Sequence, residues 1–311
     1  MSHRSLAFIA AFLALCSIGC AQTPPSAVKL PAKDPGRYLE SMDVGGFHRT
    51  YVLRVPKAYD ATKPLPLVVV LHGWTSNAPA AEAYTRMGEE SDKDGFVMVA
   101  PDGLGSPKGW NAGFIDLSGK GADDVAFIDS LIDKVESEVG IDTDRVYVAG
   151  HSNGAFLAHL VGSRLAGKIA AIAAVAGTVG VPGKDGGTKT IPDPAGAISA
   201  ILIHGKMDPM VQYDSRSVSL LHDVGAMDSA KWWAKRDGCN LSPAETTSPD
   251  GNVVTDTFGG GKNGTVVTLV TIVNGVHDWP GGLTRQGPET TTGVNAADLI
   301  WDFFKAHPKR R

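Results

Sequence analysis

A serine between two glycines, in the stretch GHSNG at residues 150–154, is the strongest candidate for chemistry in this chain. The apolar run at residues 146–149 predicts a buried strand before it, and apolar side chains recur at helical spacing after it. A G-x-S-x-G pattern between a strand and a helix makes a turn so sharp that the serine hydroxyl is raised above the sheet edge. The pattern predicts that Ser152 is a nucleophile, provided that the chain supplies a base, an acid and an oxyanion site.

The base is expected to be a histidine, because imidazole titrates close enough to neutrality to take the proton of a serine hydroxyl. In sheets of this kind the acid follows the serine in the chain, and the histidine follows the acid. His277 is favoured because it comes after the last predicted strand, in a glycine-flanked loop. The other downstream histidines are His159 on the nucleophile's own helix, His204 at a strand end with little room for an intervening acid, His222, and His307 in the basic tail.

The acid is predicted to be Asp208, four residues past the strand that ends at His204. A carboxylate there can reach a loop histidine, fix its tautomer and stabilise the imidazolium. Asp208 also precedes a proline, as ordinary turn residues do, and Asp214 is the competing acid. Its position after the strand and before His277 favours Asp208.

Two backbone N–H groups are predicted to bind the oxyanion of a tetrahedral intermediate. Asn153 offers the first, as the residue after the nucleophile at a helix N-terminus, and Trp74 offers the second, just after an early strand. Trp74, Trp110 and Trp279 each lie in loops after predicted strands, which favours an aromatic-lined cleft with Asn111 as a polar contributor. Trp110, Asn111 and Trp279 are therefore the predicted substrate-binding residues.

The elements that must position these residues alternate between strands and helices, which predicts an α/β fold with a doubly wound, mostly parallel sheet. A hairpin at residues 42–55 is expected to form the antiparallel edge of the sheet. Strands are predicted at 65–71, 96–100, 145–149, 169–175, 198–204, 253–258 and 265–273, and helices at 79–93, 123–139, 152–164, 226–236 and 294–306. The glycine- and proline-rich residues 177–196 are interpreted as a long loop, either a mobile surface insertion or a segment that shapes the substrate site.

The composition excludes several classes of function. With 311 residues and 43% hydrophobic content, the chain can bury one large core. A formal net charge of −4 provides no basic field for nucleic acid. No Cys and His cluster has metal-site spacing, and neither a metal nor a cofactor is expected. Cys239 is interpreted as a buried small side chain rather than a catalytic thiol.

The N-terminus resembles an export signal. Arg4 precedes an apolar run too short to cross a bilayer, and small residues follow. Two cleavage sites compete: a small-x-small site before Gln22, and a lipobox-like SIGC that would place lipid, and hence a membrane anchor, on Cys20. We expect an export signal at residues 1–21, a proline-rich tether at 22–37 and a single catalytic domain at 38–311, working outside the cytoplasm in the periplasm or extracellular space.

Seven motifs in this order resemble the secreted polyhydroxybutyrate depolymerase and feruloyl esterase group, a branch of the α/β hydrolases. They are HGW at 72, PDG at 101, GW at 109, DDVAFID at 123, GHSNG at 150, HGKMDPMVQY at 204 and HDWPGG at 277. The resemblance implies an α/β-hydrolase fold with Ser152, Asp208 and His277 as nucleophile, acid and base. Members often pair a cysteine like Cys239 with one near Phe258, but here that stretch reads GGGK.

These observations predict a serine esterase that acts on a small-molecule or polymeric ester through an acyl-enzyme. A feruloyl or acetyl ester of plant polysaccharide and a short hydroxyalkanoate polyester are rival substrates, and an aromatic cleft favours the first. A non-catalytic polysaccharide- or polyester-binding protein is an alternative, although binding alone does not require a nucleophile, an acid and a base. A serine peptidase is the third hypothesis.

Overall fold

A computed structural model describes residues 30–182, 188–214, 224–284, 287–288 and 293–310, apart from Ala32. The strands of these residues are β1 (Gly36–Val44), β2 (Phe47–Val55), β3 (Leu65–Leu71), β4 (Val97–Pro101), β5 (Ile141–His151), β6 (Ala171–Val175), β7 (Gly180–Pro182), β8 (Thr188–Thr190), β9 (Ser199–Gly205), β10 (Ala244–Thr247), β11 (Val253–Phe258), β12 (Val267–Ile272), β13 (Leu283–Thr284) and β14 (Gly287–Pro288). The helices are α1 (Ala78–Thr85), α2 (Met87–Asp94), α3 (Asp124–Glu138), α4 (Asn153–Arg164), α5 (Ala226–Asp237) and α6 (Ala296–Ala306).

Ten of these strands form one sheet, in the order β1-β2-β4-β3-β5-β6-β9-β12-β11-β10. The six from β4 to β12 run parallel to one another. The pairs β1–β2 and β10–β11 are antiparallel and lie at the two edges. The sheet confirms the predicted parallel centre and the predicted antiparallel hairpin at one edge.

Helices cover both faces of this sheet, because alternate side chains of each central strand point to opposite sides. In β3, Leu67 and Val69 join the core under α3, α4 and α5, whereas Val68 and Val70 join the core under α1, α2 and α6. Strands buried on both faces are apolar throughout, as in the run from 65 to 71. The carboxyl ends of the parallel strands therefore meet at one edge between two packed layers.

Most predicted elements are confirmed within a few residues, but the single helix predicted at 79–93 is two helices, α1 and α2. Arg86 adopts a left-handed conformation with φ of 58° and separates α1 from α2. A non-glycine residue rarely takes that conformation, so the sequence contains no signal for the break. Strand β10 and the short β7–β8 hairpin inside the loop at 177–196 were not predicted. Residues 183–187 of that loop lie outside the described residues.

The N-terminal boundary of the folded part lies earlier than predicted. Strand β1 begins at Gly36, and the backbone of Pro31 accepts a hydrogen bond from Gly140 N–H at 3.1 Å. Lys33 forms ion pairs with Glu40 and Glu138. The last residues of the predicted tether at 22–37 thus pack against the sheet and α3. The predicted export signal at 1–21, with Cys20, lies outside the described residues, and no helix within them is long and apolar enough to span a membrane.

Candidate active site

Ser152 occupies the sharp turn between β5 and α4. Its backbone has φ of 53° and ψ of −119°, a strained conformation for a residue with a side chain. The Ser152 N–H donates to Val175 O at 2.9 Å, which ties the turn to the end of the neighbouring strand β6. This geometry is that of a nucleophile elbow, as the sequence pattern predicts.

The two glycines of the pattern are required by close backbone approaches. A Cβ at Gly150 would lie 2.1 Å from Gly154 O, and a Cβ at Gly154 would lie 2.3 Å from Leu71 O. Neither distance is compatible with a side chain, and the second shows that α4 begins directly against the end of β3. The elbow is therefore tight because β3, β5 and α4 all converge on it.

His277 lies between Ser152 and Asp208. Its Nε2 is 2.9 Å from Ser152 Oγ, and its Nδ1 is 2.7 Å from Asp208 Oδ2. An ionised carboxylate can only accept, so Nδ1 carries the proton and Nε2 is the atom left to accept from the serine hydroxyl. The structure brings together the three residues that the sequence predicts as nucleophile, base and acid, joined by two hydrogen bonds.

Three hydrogen bonds hold Asp208 as a carboxylate, and the His204 ring lies close by. Asp208 Oδ1 accepts from Met210 N–H at 2.8 Å and Val211 N–H at 2.9 Å, while Oδ2 faces His277 and lies 3.5 Å from His204 Nε2. Burial acts to raise the pKa of Asp208, but the hydrogen bond and charge of His277 outweigh it and the pKa stays below its ordinary value. His204 donates from Nε2 to Val211 O at 2.7 Å, and its burial lowers its pKa. Asp214 makes no contact with His277 in the part of the chain that the structure describes.

The two predicted oxyanion donors border the same cavity as Ser152. Asn153 is the first residue of α4, where backbone N–H groups have no intrahelical acceptor. Trp74 follows β3, in a loop where Thr75 has φ of 70°. Among the described residues, neither the Asn153 N–H nor the Trp74 N–H has a protein acceptor. Both groups therefore remain the predicted oxyanion donors.

The cavity in front of Ser152 has a volume of about 460 Å³ and a mainly apolar lining. Its aromatic walls are Trp74, Tyr84 and Phe156, with Trp74 47% exposed at the rim. The aliphatic and sulfur-containing residues of the lining are Leu71, Ala81, Leu117, Met210 and Val211. A volume of this size lies in the range of small-molecule binding pockets. None of the described residues of the loop at 177–196 contributes to the lining.

The prediction that Trp110, Asn111 and Trp279 line the cleft is wrong. Trp110 is fully buried, and its indole Nε1–H donates to His72 O at 2.8 Å. Asn111 turns away from the cleft, donating from Nδ2 to Ala122 O at 2.9 Å. Trp279 is 1% exposed and packs in the core beside α6. All three follow strand ends, but their loops fold back into the protein instead of opening onto the cavity.

Several cavity residues were missed from the sequence, among them His151, Tyr84 and Phe156. The His151 ring lies between Tyr84 and His277, with centroid distances of 5.3 Å and 5.2 Å. Burial, with the neighbouring charge of His277, lowers the pKa of His151 to about 3, so the ring is neutral. The Tyr84 hydroxyl accepts from Trp279 N–H at 2.7 Å and so supports the loop of His277. His151 could have been found from the sequence, because it is the residue directly before the serine in the G-x-S-x-G pattern. No sequence pattern indicates Tyr84.

No group of three or more His, Cys, Asp or Glu side chains in the described part of the chain is arranged to hold a metal. Cys239 is buried and unpaired, with its thiol 3.8 Å from Thr265 O. Burial raises the pKa of that thiol, which keeps it in the protonated form. Ser152, His277 and Asp208 therefore remain the predicted catalytic residues of this site.

The parallel sheet with its nucleophile elbow defines an α/β hydrolase. Residues 49–186 match the family model described as "Esterase PHB depolymerase". The probable feruloyl esterase C of Aspergillus oryzae is 30% identical over 276 residues, which cover 85% of this chain and 87% of that protein. The chain belongs to the polyhydroxybutyrate depolymerase and feruloyl esterase family of carboxylic ester hydrolases, which confirms the resemblance seen in the sequence.

Two further comparisons concern a longer relative and a solved structure. Feruloyl esterase B of Piromyces equi is 29% identical over 236 residues, which cover 74% of this chain but only 42% of that longer protein. The structure of an acetyl xylan esterase from Aspergillus awamori superposes with a TM-score of 0.60 at 16% identity, over 86% of this chain and 99% of that one. The second likeness concerns the fold alone and confirms the α/β-hydrolase architecture.

Proposed function

We propose that this chain is an exported serine esterase that cleaves carboxylic esters through an acyl-enzyme on Ser152. The observation that carries the proposal is the unbroken hydrogen-bond chain from Asp208 through His277 to Ser152 Oγ, with both bonds below 3 Å. Export is supported by the signal-like residues 1–21. The folded residues from β1 (Gly36–Val44) onward act as one catalytic domain.

In the first half of the reaction, Ser152 Oγ attacks the ester carbonyl carbon while His277 Nε2 takes the hydroxyl proton. The N–H groups of Trp74 and Asn153 donate to the oxyanion of the tetrahedral intermediate. His277 then returns the proton to the leaving alkoxide, and the alcohol departs. Asp208 accepts from Nδ1 throughout and stabilises the imidazolium without taking the proton itself.

In the second half, water attacks the acyl carbon and gives its proton to His277 Nε2. Collapse of the second tetrahedral intermediate returns this proton to Ser152 Oγ and releases the carboxylic acid. The same two N–H groups stabilise both oxyanions, because the former carbonyl oxygen carries the negative charge in both tetrahedral intermediates. The cycle consumes one ester and one water and uses no metal or cofactor.

The acyl group is proposed to be aromatic, as in a feruloyl ester. The cavity of about 460 Å³ has three aromatic walls, Trp74, Tyr84 and Phe156, against which a planar phenyl ring can pack. The relatives from Aspergillus oryzae and Piromyces equi are named feruloyl esterases. Together the lining and the relatives favour a ferulate-like acid over a short acetyl group.

A hydroxyalkanoate polyester is the second candidate substrate. Three exposed apolar residues stand beside the proposed acid and base: Met207 at 61%, Met210 at 56% and Val276 at 47% exposure. An apolar rim of this kind suits the surface of a water-insoluble polyester.

The test measures ferulate released from methyl ferulate, with the Ser152→Ala variant as blank and a hydroxybutyrate oligomer in parallel. Ferulate release that disappears in the variant supports the proposal. Cleavage of the oligomer alone keeps the mechanism and moves the substrate to polyester. Cleavage of neither, or equal turnover by the variant, contradicts the proposal; retained polymer binding then favours a binding protein, and cleavage of a peptide anilide favours a peptidase.

A further inference from the structure

We propose that Trp110 is a positioning residue that sets the distance between the two oxyanion donors, a role that rests on the proposed serine esterase function. Trp110 touches neither Ser152 nor the cavity. It does make hydrogen bonds to both walls of the site: to the loop that ends in Trp74 and to the side chain of Asn153. A single rigid, fully buried residue thus joins the two segments that carry the donors.

At the turn that holds Ser152, the Asn153 side chain forms two hydrogen bonds with the backbone of Trp110. Asn153 Oδ1 accepts from Trp110 N–H at 2.7 Å, and Asn153 Nδ2 donates to Trp110 O at 3.3 Å. A carboxamide is needed here, because it carries a donor and an acceptor side by side. The backbone N–H of Asn153 is also the first proposed oxyanion donor. Because its side chain is held by these two hydrogen bonds, the start of α4 is fixed relative to Trp110.

On the loop side, the Trp110 indole N–H donates to His72 O at 2.8 Å. The His72 ring extends this support: its Nε2 accepts from Gly103 N–H at 2.8 Å, so Nδ1 carries the proton and donates to Gly73 O at 2.7 Å. Gly73 O belongs to the same planar peptide unit as the Trp74 N–H. Holding the carbonyl end of that unit fixes the direction of the N–H at its other end.

Trp110 is itself fastened to the core from two directions. The next residue, Asn111, donates its N–H to Asp124 Oδ2 at 2.7 Å, and Asp124 Oδ1 forms a buried ion pair with Arg49 at 2.7 Å. The Arg49 guanidinium lies over the Trp110 ring, 5.7 Å from its centroid. The bridge between the donors is therefore part of the rigid core below the site, not a surface loop.

The variant Trp110→Phe keeps an aromatic ring but removes the indole N–H, which leaves His72 O without that donor. Loss of one oxyanion donor costs about two to three orders of magnitude in rate, and a displacement of about 1 Å costs up to about 100-fold. We expect kcat per active site to fall by about 10- to 100-fold while KM changes by less than about threefold. Affinity for a trifluoromethyl ketone, which forms a tetrahedral adduct on the serine, should fall in parallel.

Trp233→Phe is the matched control. Trp233 is also fully buried, and its indole N–H donates to His159 Nδ1 at 2.9 Å, but it lies on α5 and does not line the cavity. Active sites are counted by titration with a phosphonate that labels Ser152, so that partly misfolded protein does not affect kcat. The control should lose stability without losing kcat per active site.

If Trp110→Phe does not fold, benzothienylalanine at position 110 replaces the indole N–H by sulfur at nearly constant shape and tests the same bond. Wild-type kcat per active site with either replacement, or an equal loss in Trp233→Phe, would overturn the positioning role. Failure of wild-type enzyme to hydrolyse any ester in a Ser152-dependent way would instead refute the proposed function, so the two failures are distinguishable.

Discussion

His277 Nε2 lies 2.9 Å from Ser152 Oγ, although 125 positions separate the two residues in the chain. The contact exists because Ser152 follows β5 and His277 follows β12, two strands of the same parallel set. Asp208 follows β9, the direct neighbour of β12 in the sheet. The predicted base and acid therefore lie close together, because the strands that they follow are adjacent.

Replacing Asp208 by asparagine should lower kcat by about three to four orders of magnitude, because the carboxylate that fixes the His277 tautomer is lost. An asparagine amide can donate to Nδ1, which would place the imidazole proton on Nε2, where it faces the serine hydroxyl. Steady-state hydrolysis of methyl ferulate measures this loss. Asp214→Asn changes the competing acid and should stay within about twofold of the wild type; equal losses in the two variants would contradict the role of Asp208.

Removing the Trp74 side chain should weaken substrate binding without removing the oxyanion donor, since the N–H belongs to the backbone. Trp74→Ala should raise KM for methyl ferulate by about two- to tenfold, the loss expected for one aromatic contact. Initial rates over a range of substrate concentrations separate KM from kcat. Leu241 is 49% exposed and does not line the cavity, so Leu241→Ala serves as control. An unchanged KM in Trp74→Ala would remove Trp74 from the substrate site.

Gly154→Ala should destabilise the fold as well as the elbow. The new Cβ would lie 2.3 Å from Leu71 O and 2.6 Å from His72 O, so strand β3 or helix α4 must move. We expect a loss of about 3 kcal/mol or more in the free energy of unfolding, at the upper end for overpacking. Urea denaturation checks this against Gly167→Ala, where an added Cβ meets nothing within 4 Å. Equal midpoints for the two variants would show that the elbow is not tightly packed.

Asp237 should make the protein less stable as pH rises from about 4 to 7. The side chain is fully buried at the end of α5, and this burial raises its pKa to about 7. Between its unfolded and folded pKa values the folded state binds a proton that the unfolded state has released, so the free energy of unfolding falls with pH and levels off above 7. The full change is on the order of 2–4 kcal/mol.

Asp237→Asn should flatten this dependence, which denaturation at pH 5 and pH 8 measures. Burial and a hydrogen bond that protonated Glu90 donates to Asp94 also raise the pKa of Glu90 to about 7, so a part of the slope will remain. Asp302, whose side chain is 71% exposed, provides the control variant Asp302→Asn, which should keep the full slope. An identical slope in Asp237→Asn and the wild type would contradict a protonated Asp237.

The features that could be predicted from sequence are those that a local pattern determines. The elbow around Ser152 follows from a strand, two glycines and a helix in sequence, and the apolar run at 65–71 indicates a strand buried on both faces. His277 and Asp208 could be placed because residues at the ends of parallel strands share one edge of the sheet.

The residues that line the cavity could not be predicted in the same way. A tryptophan in a loop after a strand can face solvent, as Trp74 does, or turn back into the core, as Trp110 and Trp279 do. Which of these happens depends on distant partners, such as His72 O for Trp110 and the Tyr84 hydroxyl for the backbone of Trp279. Packing also determines the left-handed backbone conformation of Arg86 between α1 and α2, and no residue type in this stretch indicates it.

Labelling with a serine-reactive phosphonate tests the central proposal most directly. The wild-type protein is treated with one equivalent, digested and analysed by peptide mass, while residual hydrolysis of methyl ferulate is followed in the same sample. We predict a single adduct on Ser152 that forms in step with the loss of activity, and neither adduct nor activity in Ser152→Ala. An adduct on another residue that tracks the inactivation, or hydrolysis that persists in Ser152→Ala, would contradict Ser152 as the nucleophile.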